Sequence, residues 1–158
     1  PGVTLPVGDY SFGQARATFQ LSAARKISGF VSFTIGEFYD GTILETSWRG
    51  RIEFSPQLSA EPTISFNHVE TPHGIGDTNV IGSRVTYTLT PRMFVAALIQ
   101  YQSAAKTATS NVRFRWEYQP GSELFVVYSD GRDTDDTGFP PPILNRSFVV
   151  KITKLFRL

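Results

Sequence analysis

Asn111-Val112-Arg113-Phe114-Arg115-Trp116-Glu117-Tyr118-Gln119-Pro120-Gly121-Ser122-Glu123-Leu124-Phe125-Val126-Val127-Tyr128 alternates polar and apolar side chains for eight residues, breaks at Pro120-Gly121, and returns through a second apolar run. Successive side chains of a strand point to opposite faces. Val112, Phe114, Trp116 and Tyr118 therefore share one face, and Asn111, Arg113, Arg115 and Glu117 share the other. The stretch reads as a hairpin, 111–118 and 123–129, joined by the short connection Gln119–Ser122.

The same period of two extends over the rest of the chain. Ile81, Val85, Tyr87 and Leu89 oppose Arg84, Thr86 and Thr88, and Leu44, Trp48, Ile52 and Phe54 oppose Glu45, Arg49, Arg51 and Glu53. Helical periodicity is nearly absent. The pattern predicts an all-β, antiparallel chain of nine strands at roughly 10–21, 27–36, 42–54, 61–69, 80–89, 93–102, 111–118, 123–129 and 147–158. Many of these reach the ~9–11 residues that a tilted strand needs to cross a bilayer.

Composition sets the limits. A chain of 158 residues that is 41% hydrophobic and 13% aromatic is no disordered tail. Fifteen basic against 14 acidic side chains leave no net field to attract nucleic acid. With no cysteine and two histidines, thiol catalysis and Cys-ligated metal sites are excluded, and no cofactor or metal centre is expected. No apolar run is long enough for a spanning helix, and the start at Pro1 implies a processed chain or a piece of a longer one.

The connections are expected to sort by rim. Those after the odd strands are short (22–26, 55–60, 90–92, 119–122), and those after the even strands are mostly longer (37–41, 70–79, 103–110, 130–146). Tight turns on one rim and extended loops on the other fit an up-and-down transmembrane β-barrel.

A short pattern recurs near the end of the odd strands: Arg16-Ala17-Thr18-Phe19, Arg51-Ile52-Glu53-Phe54, Arg84-Val85-Thr86-Tyr87 and Arg115-Trp116-Glu117-Tyr118, with an echo in Lys151-Ile152-Thr153. These copies look like hairpins repeated in tandem. They predict a basic tier of Arg16, Arg51, Arg84, Arg115 and Lys151, with Glu53 and Glu117 interleaved, facing a wet lumen. Such a tier is either a structural charge network or a selectivity ring for anions. The outward aromatics Phe19, Phe54, Tyr87 and Tyr118 are expected to form an interfacial girdle.

Several pieces carry a resemblance: Gly2-Val3-Thr4-Leu5-Pro6-Val7-Gly8-Asp9-Tyr10, Gly36-Glu37-Phe38-Tyr39-Asp40-Gly41, Leu98-Ile99-Gln100-Tyr101-Gln102 and, most specifically, Arg115-Trp116-Glu117-Tyr118-Gln119-Pro120-Gly121-Ser122. They resemble the C-terminal barrel region of an uncharacterised bacterial outer-membrane family whose full-length members carry an N-terminal domain similar to a family-nine carbohydrate-binding module. The resemblance implies an outer-membrane location in a Gram-negative bacterium. It also implies a porin-like role in envelope transport, or an anchor for a glycan-related module. The implied partners are outer-membrane lipid and the barrel assembly machinery, which would read the final strand through Phe156 and Leu158. Because nine strands are odd in number, missing N-terminal strands or copies of the chain are expected to close the barrel.

Catalytic chemistry finds little purchase. Asp130, Asp133, Asp135 and Asp136 lack the spacing of an EF-hand. His68, His73 and Asp77 lie near one another with no nucleophile placed beside them, and Ser110 and Ser129 read as turn residues. A soluble lipocalin-like barrel with its oily face inward is the alternative reading. A barrel enzyme with loop-borne catalysis comes third.

Overall fold

The computed structural model describes residues 9–135 and 138–156. Gly2–Gly8 of the resemblance, Asp136 of the acidic loop and the terminal Leu158 lie outside them. The described residues contain no helix. They form β1 (Gln14–Leu21), β2 (Ile27–Phe38), β3 (Gly41–Glu53), β4 (Leu58–Thr71), β5 (Gly74–Thr90), β6 (Met93–Gln102), β7 (Thr107–Gln119), β8 (Ser122–Asp133) and β9 (Ile143–Thr153). All nine belong to one antiparallel sheet in sequence order, so each strand pairs only with its neighbours in the chain. β1 and β9 do not pair, and the sheet is open.

Register carries the alternation of one strand to the next. One continuous row of paired residues runs Ile27, Ile52, Ala60, Val85, Ala97, Val112, Tyr128, Phe148, apolar at every position. The adjoining row contains Arg84, Leu98, Asn111, Ser129 and Ser147. A slip of one residue in any pair would mix the two faces. The apolar row starts on the first residue of β2 and meets β8 six residues past its start at Ser122. This stagger of one residue per strand, at a rise of ~3.3 Å and a strand spacing of ~4.8 Å, corresponds to strands leaning by roughly 35°.

No protein layer covers the apolar face. Ala60, at 8% exposure, is the one buried hydrophobic residue among those described, whereas Phe19 is 67% and Ile152 is 69% exposed. On β5 the burial is the reverse of that in a water-soluble sheet. Ile81, Val85, Tyr87 and Leu89 are exposed, while Thr78, Val80, Thr86 and Thr88 on the polar face are half-buried. The accessible surface is 11099 Å². A compact globular chain of this mass exposes roughly 7,900 Å².

Loop lengths differ from the expectation. The connections after β2 and β4 are two-residue turns at 39–40 and 72–73, and the one after β6 spans 103–106. Only the β8–β9 connection, 134–142, is long. Gly74, Gly76, Asp77 and Asn79 read as loop by composition, yet they pair with Thr71, Val69, His68 and Phe66. Once Phe66 and Ile81 are seated on the apolar face, the opposite strand is the nearest partner for the backbone groups beyond them. The rim asymmetry therefore lies in protruding hairpins rather than loops. At the other end β9 stops at Thr153 instead of continuing: Leu155 N–H donates to Ser122 Oγ at 3.0 Å and folds the tail against the β7–β8 turn.

Gly29 pairs with Gly50 on the apolar face. It has φ +126°, and a Cβ there would meet the carbonyl oxygen of Arg49 at 2.2 Å. Gly29→Ala is expected to destabilise the folded chain by roughly 1–3 kcal/mol in denaturant titrations. Gly13→Ala, where an added Cβ meets nothing within 4 Å, should change stability by less than about 0.5 kcal/mol.

Candidate functional site

The polar face gathers charges from all five odd-numbered strands, together with Glu61 of β4 and Glu123 of β8. Arg16, Arg51, Arg84, Arg115, Lys151, Glu53 and Glu117 all fall on it by register. They do not form one row. Arg16 lies across from Thr34, which in turn lies across from Glu45. Arg115 and Lys151 flank Phe125 on a single row.

Arg16 and Arg115 are paired with Glu45 and Glu123, carboxylates outside the predicted tier, and Arg51 with Glu53, which belongs to it. Arg16 donates from Nε to Thr34 Oγ1 at 3.0 Å and lies 3.7 Å from Glu45. Arg51 lies 3.2 Å from Glu53, its neighbour two residues on. Arg115 makes a two-pronged contact with Glu123, Nε–Oε2 at 3.1 Å and Nη2–Oε1 at 2.5 Å, the fork geometry in which guanidinium binds carboxylate best. Arg84 lies 4.0 Å from Glu61 directly opposite, which is a weak pair. Glu117 accepts from Gly121 N–H at 3.2 Å and so serves the turn.

Arg49, Arg113 and Lys151 have no carboxylate within 4.0 Å among the described residues. Arg113 lies over the ring of Phe125, 5.4 Å from its centroid, and gains cation–π attraction in place of an ion pair. Arg49 and Arg113 belong to this face but not to the repeated tetrapeptide, which is why residue spacing alone passed over them. Of the hollows on this face, two are bordered by arginines of alternate strands. One, of about 340 Å³, has Arg49, Arg51, Glu61, Thr63, Arg84 and Leu98 in its lining. The other, of about 250 Å³, is bordered by Arg84, Thr86, Phe94, Leu98, Asn111 and Arg113.

On the apolar face Phe19 and Tyr87 are exposed, Phe54 is exposed just past β3, and the Tyr118 hydroxyl donates to the Thr153 carbonyl at 3.0 Å. All four lie toward the rim that carries the turns at 54–57, 91–92 and 120–121. Trp116 joins them, edge-on to Tyr118 at 5.9 Å. The opposite rim holds an aromatic cluster that periodicity had not signalled: Tyr39 lies 5.2 Å from Tyr10, 5.6 Å from Phe12 and 4.8 Å from Phe38.

Among the described strand residues, charges appear on the apolar face only at that opposite rim. His68 Nδ1 lies 2.6 Å from Asp77 Oδ1, across the β4–β5 ladder. Asp130 is held by Arg132 at 2.5 Å and by Arg146 at 2.9 Å, with Arg132 also donating to the Pro141 carbonyl. His73 pairs with Asp40 at 3.1 Å and links two hairpin turns. These histidines are placed as rim contacts with carboxylates, and no group of His, Asp or Glu that could hold a metal occurs among the described residues. In the β6–β7 turn, Lys106 pairs with Asp135, which raises the ammonium pKa through a hydrogen bond and charge attraction.

Comparison with known protein families, curated proteins and solved structures gives no match.

Paired and unpaired cations should respond differently to neutralisation. Glu123→Gln is expected to lower the thermal unfolding midpoint, and more at low salt than at high salt, because a half-exposed pair is screened by added ions. Lys151→Gln should lower the midpoint less than Glu123→Gln does, since it breaks no contact within 4.0 Å and removes only a longer-range attraction to Glu123.

Proposed function

We propose that this chain is part of the wall of an outer-membrane β-barrel, with its apolar face against lipid and its polar face lining a water-filled, porin-like interior. The observation that carries the reading is the inverted burial: an apolar face continuous over nine strands and uncovered by protein, opposite a polar face rich in arginine and glutamate. In lipid the apolar face needs no second layer, and the all-neighbour ladder pairs the backbone apart from the two edge strands, the bulges near Thr88, Glu117 and Gly131, and the gap where Gly50 and Arg51 face Pro62 and Glu61.

Dimensions support this. On β4 the apolar-face positions from Leu58 to Phe66 are all apolar, and His68 and Glu70 follow. Eight residues span about 26 Å along the strand, or roughly 22 Å in height after a lean of about 35°, close to the ~25 Å apolar band of bacterial barrels. His68, Asp77, Asp130 and Arg146 would mark the headgroup boundary at one rim, and Phe19, Phe54, Tyr87 and Tyr118 the aromatic belt at the other. β1 and β9 run in the same direction, so closure by antiparallel pairing takes an odd number of further strands. A soluble lipocalin-like barrel would instead turn the apolar face inward, where Phe, Trp and Tyr would be the least exposed residues.

Native cysteine is absent, so single-cysteine scanning of β5 is clean. In lipid vesicles Arg84→Cys, Thr86→Cys and Thr88→Cys are expected to react with a charged, membrane-impermeant maleimide, whereas Ser83→Cys, Val85→Cys and Tyr87→Cys should be protected. Equal reactivity along the strand, or protection of the polar positions, would count against a lipid-facing apolar surface.

A further inference from the structure

The level of equal height on a leaning sheet is not a row of paired residues. With a stagger of one residue per strand, it advances two residues toward the 91–92 and 120–121 turns for every hairpin crossed. From Arg49 the paired row leads through Thr63 to Gly82, and two residues on is Arg84. From Arg84 it leads through Leu98 to Asn111, and two residues on is Arg113. From Arg113 it leads through Val127 to Val149, and two residues on is Lys151. Four cations from four alternate strands thus lie at one height on the polar face. Their backbones are spaced by roughly 12 Å, from two strand spacings and two residues of rise.

These are also the cations that lack compensation. Arg49, Arg113 and Lys151 have no carboxylate within 4.0 Å among the described residues, and Arg84 has only the 4.0 Å contact with Glu61. Arg16, Arg51 and Arg115, off this level, are each paired. Consecutive members share a hollow: Arg49 and Arg84 border one, and Arg84 and Arg113 border the other beside Asn111.

We propose that Arg49, Arg84, Arg113 and Lys151 form an anion-binding tier that admits small multivalent anions, phosphate-bearing solutes above all. Guanidinium presents two parallel N–H donors to phosphate oxygens, and neighbouring cations on one level allow an anion to pass from one to the next. Asn111 adds an amide donor in the second hollow, with Phe94 and Leu98 as its apolar floor. The proposal rests on the reading of the polar face as a wet interior.

The test uses the full chain folded in detergent micelles and in planar bilayers, with inorganic pyrophosphate as the probe. Calorimetric affinity for pyrophosphate is expected to fall at least tenfold in Arg49→Gln/Arg113→Gln/Lys151→Gln. It should change less than about twofold in the charge-neutral control Arg16→Gln/Glu45→Gln/Arg115→Gln/Glu123→Gln, whose residues line neither hollow, and should be retained in Arg49→Lys/Arg113→Lys, which keeps four cations on the level. Reversal potentials in a KCl gradient should shift toward cation preference in the first variant only. Equal loss in the tier variant and the control, or no pyrophosphate binding by the parent chain, overturns the tier. Conductance whose selectivity ignores both variants overturns the tier and leaves the pore standing. Tier-dependent binding without any conductance supports the tier and refutes the open pore.

Discussion

Everything in this chain follows from one constraint: a single-layer sheet has to hide one face without a second layer of protein. Eight strands in register, β2 to β9, place Ile27, Ile52, Ala60, Val85, Ala97, Val112, Tyr128 and Phe148 in one row, and no second layer of the described residues covers them. In water, contiguous apolar surface on this scale drives association. At ~25 cal/mol per Å², the cost of leaving it wet grows with every strand added. A lipid environment, as proposed, would remove that cost and forbid unpaired backbone groups; among the described residues the ladder between neighbours is interrupted at bulges near Thr88, Glu117 and Gly131 and where Gly50 and Arg51 face Pro62 and Glu61.

The same geometry sorts the charges. On the polar face Arg16 and Arg115 meet carboxylates of other strands and Arg51 meets Glu53 of its own, while the proposed level joins Arg49, Arg84, Arg113 and Lys151, of which Arg84 alone has a carboxylate within 4.0 Å among the described residues. Half-exposed ion pairs contribute little stability. Their effect here is to cancel field off the level and leave it uncancelled on it. On the apolar face, by contrast, charge is confined to the protruding rim, where Asp130 gathers Arg132 and Arg146 and His68 meets Asp77.

Strand number and the identity of the two faces were legible in the sequence because a period of two survives any error in strand ends. The turns were less legible. Gly74, Gly76, Asp77 and Asn79 carry turn composition, but the pull of a neighbouring strand on unsatisfied backbone groups outweighs their weak preferences. Counting residues between repeats singles out Arg16, Arg51, Arg84, Arg115 and Lys151, whereas the proposed level joins Arg49, Arg84, Arg113 and Lys151, because height on a leaning sheet depends on register, and register is set by pairs far apart in the chain. Glu45, Glu61 and Glu123 were not read as partners for the same reason: each meets its arginine on another strand, Glu61 and Glu123 on the adjacent one and Glu45 across β2. The cluster of Tyr10, Phe12, Phe38 and Tyr39 has no periodic signature at all, since it joins a turn to the segment before β1.

The measurement that tests the central claim most directly is the fluorescence of Trp48 and Trp116, both on the apolar face, after the chain is folded into vesicles containing lipids brominated along the acyl chain. A lipid-facing surface predicts strong quenching of both indoles, deeper bromines acting more on Trp48 or Trp116 according to their distance from the turn rim. Unquenched emission, together with a folded monomer that stays in buffer when vesicles are removed, would contradict it and place the apolar face against protein instead.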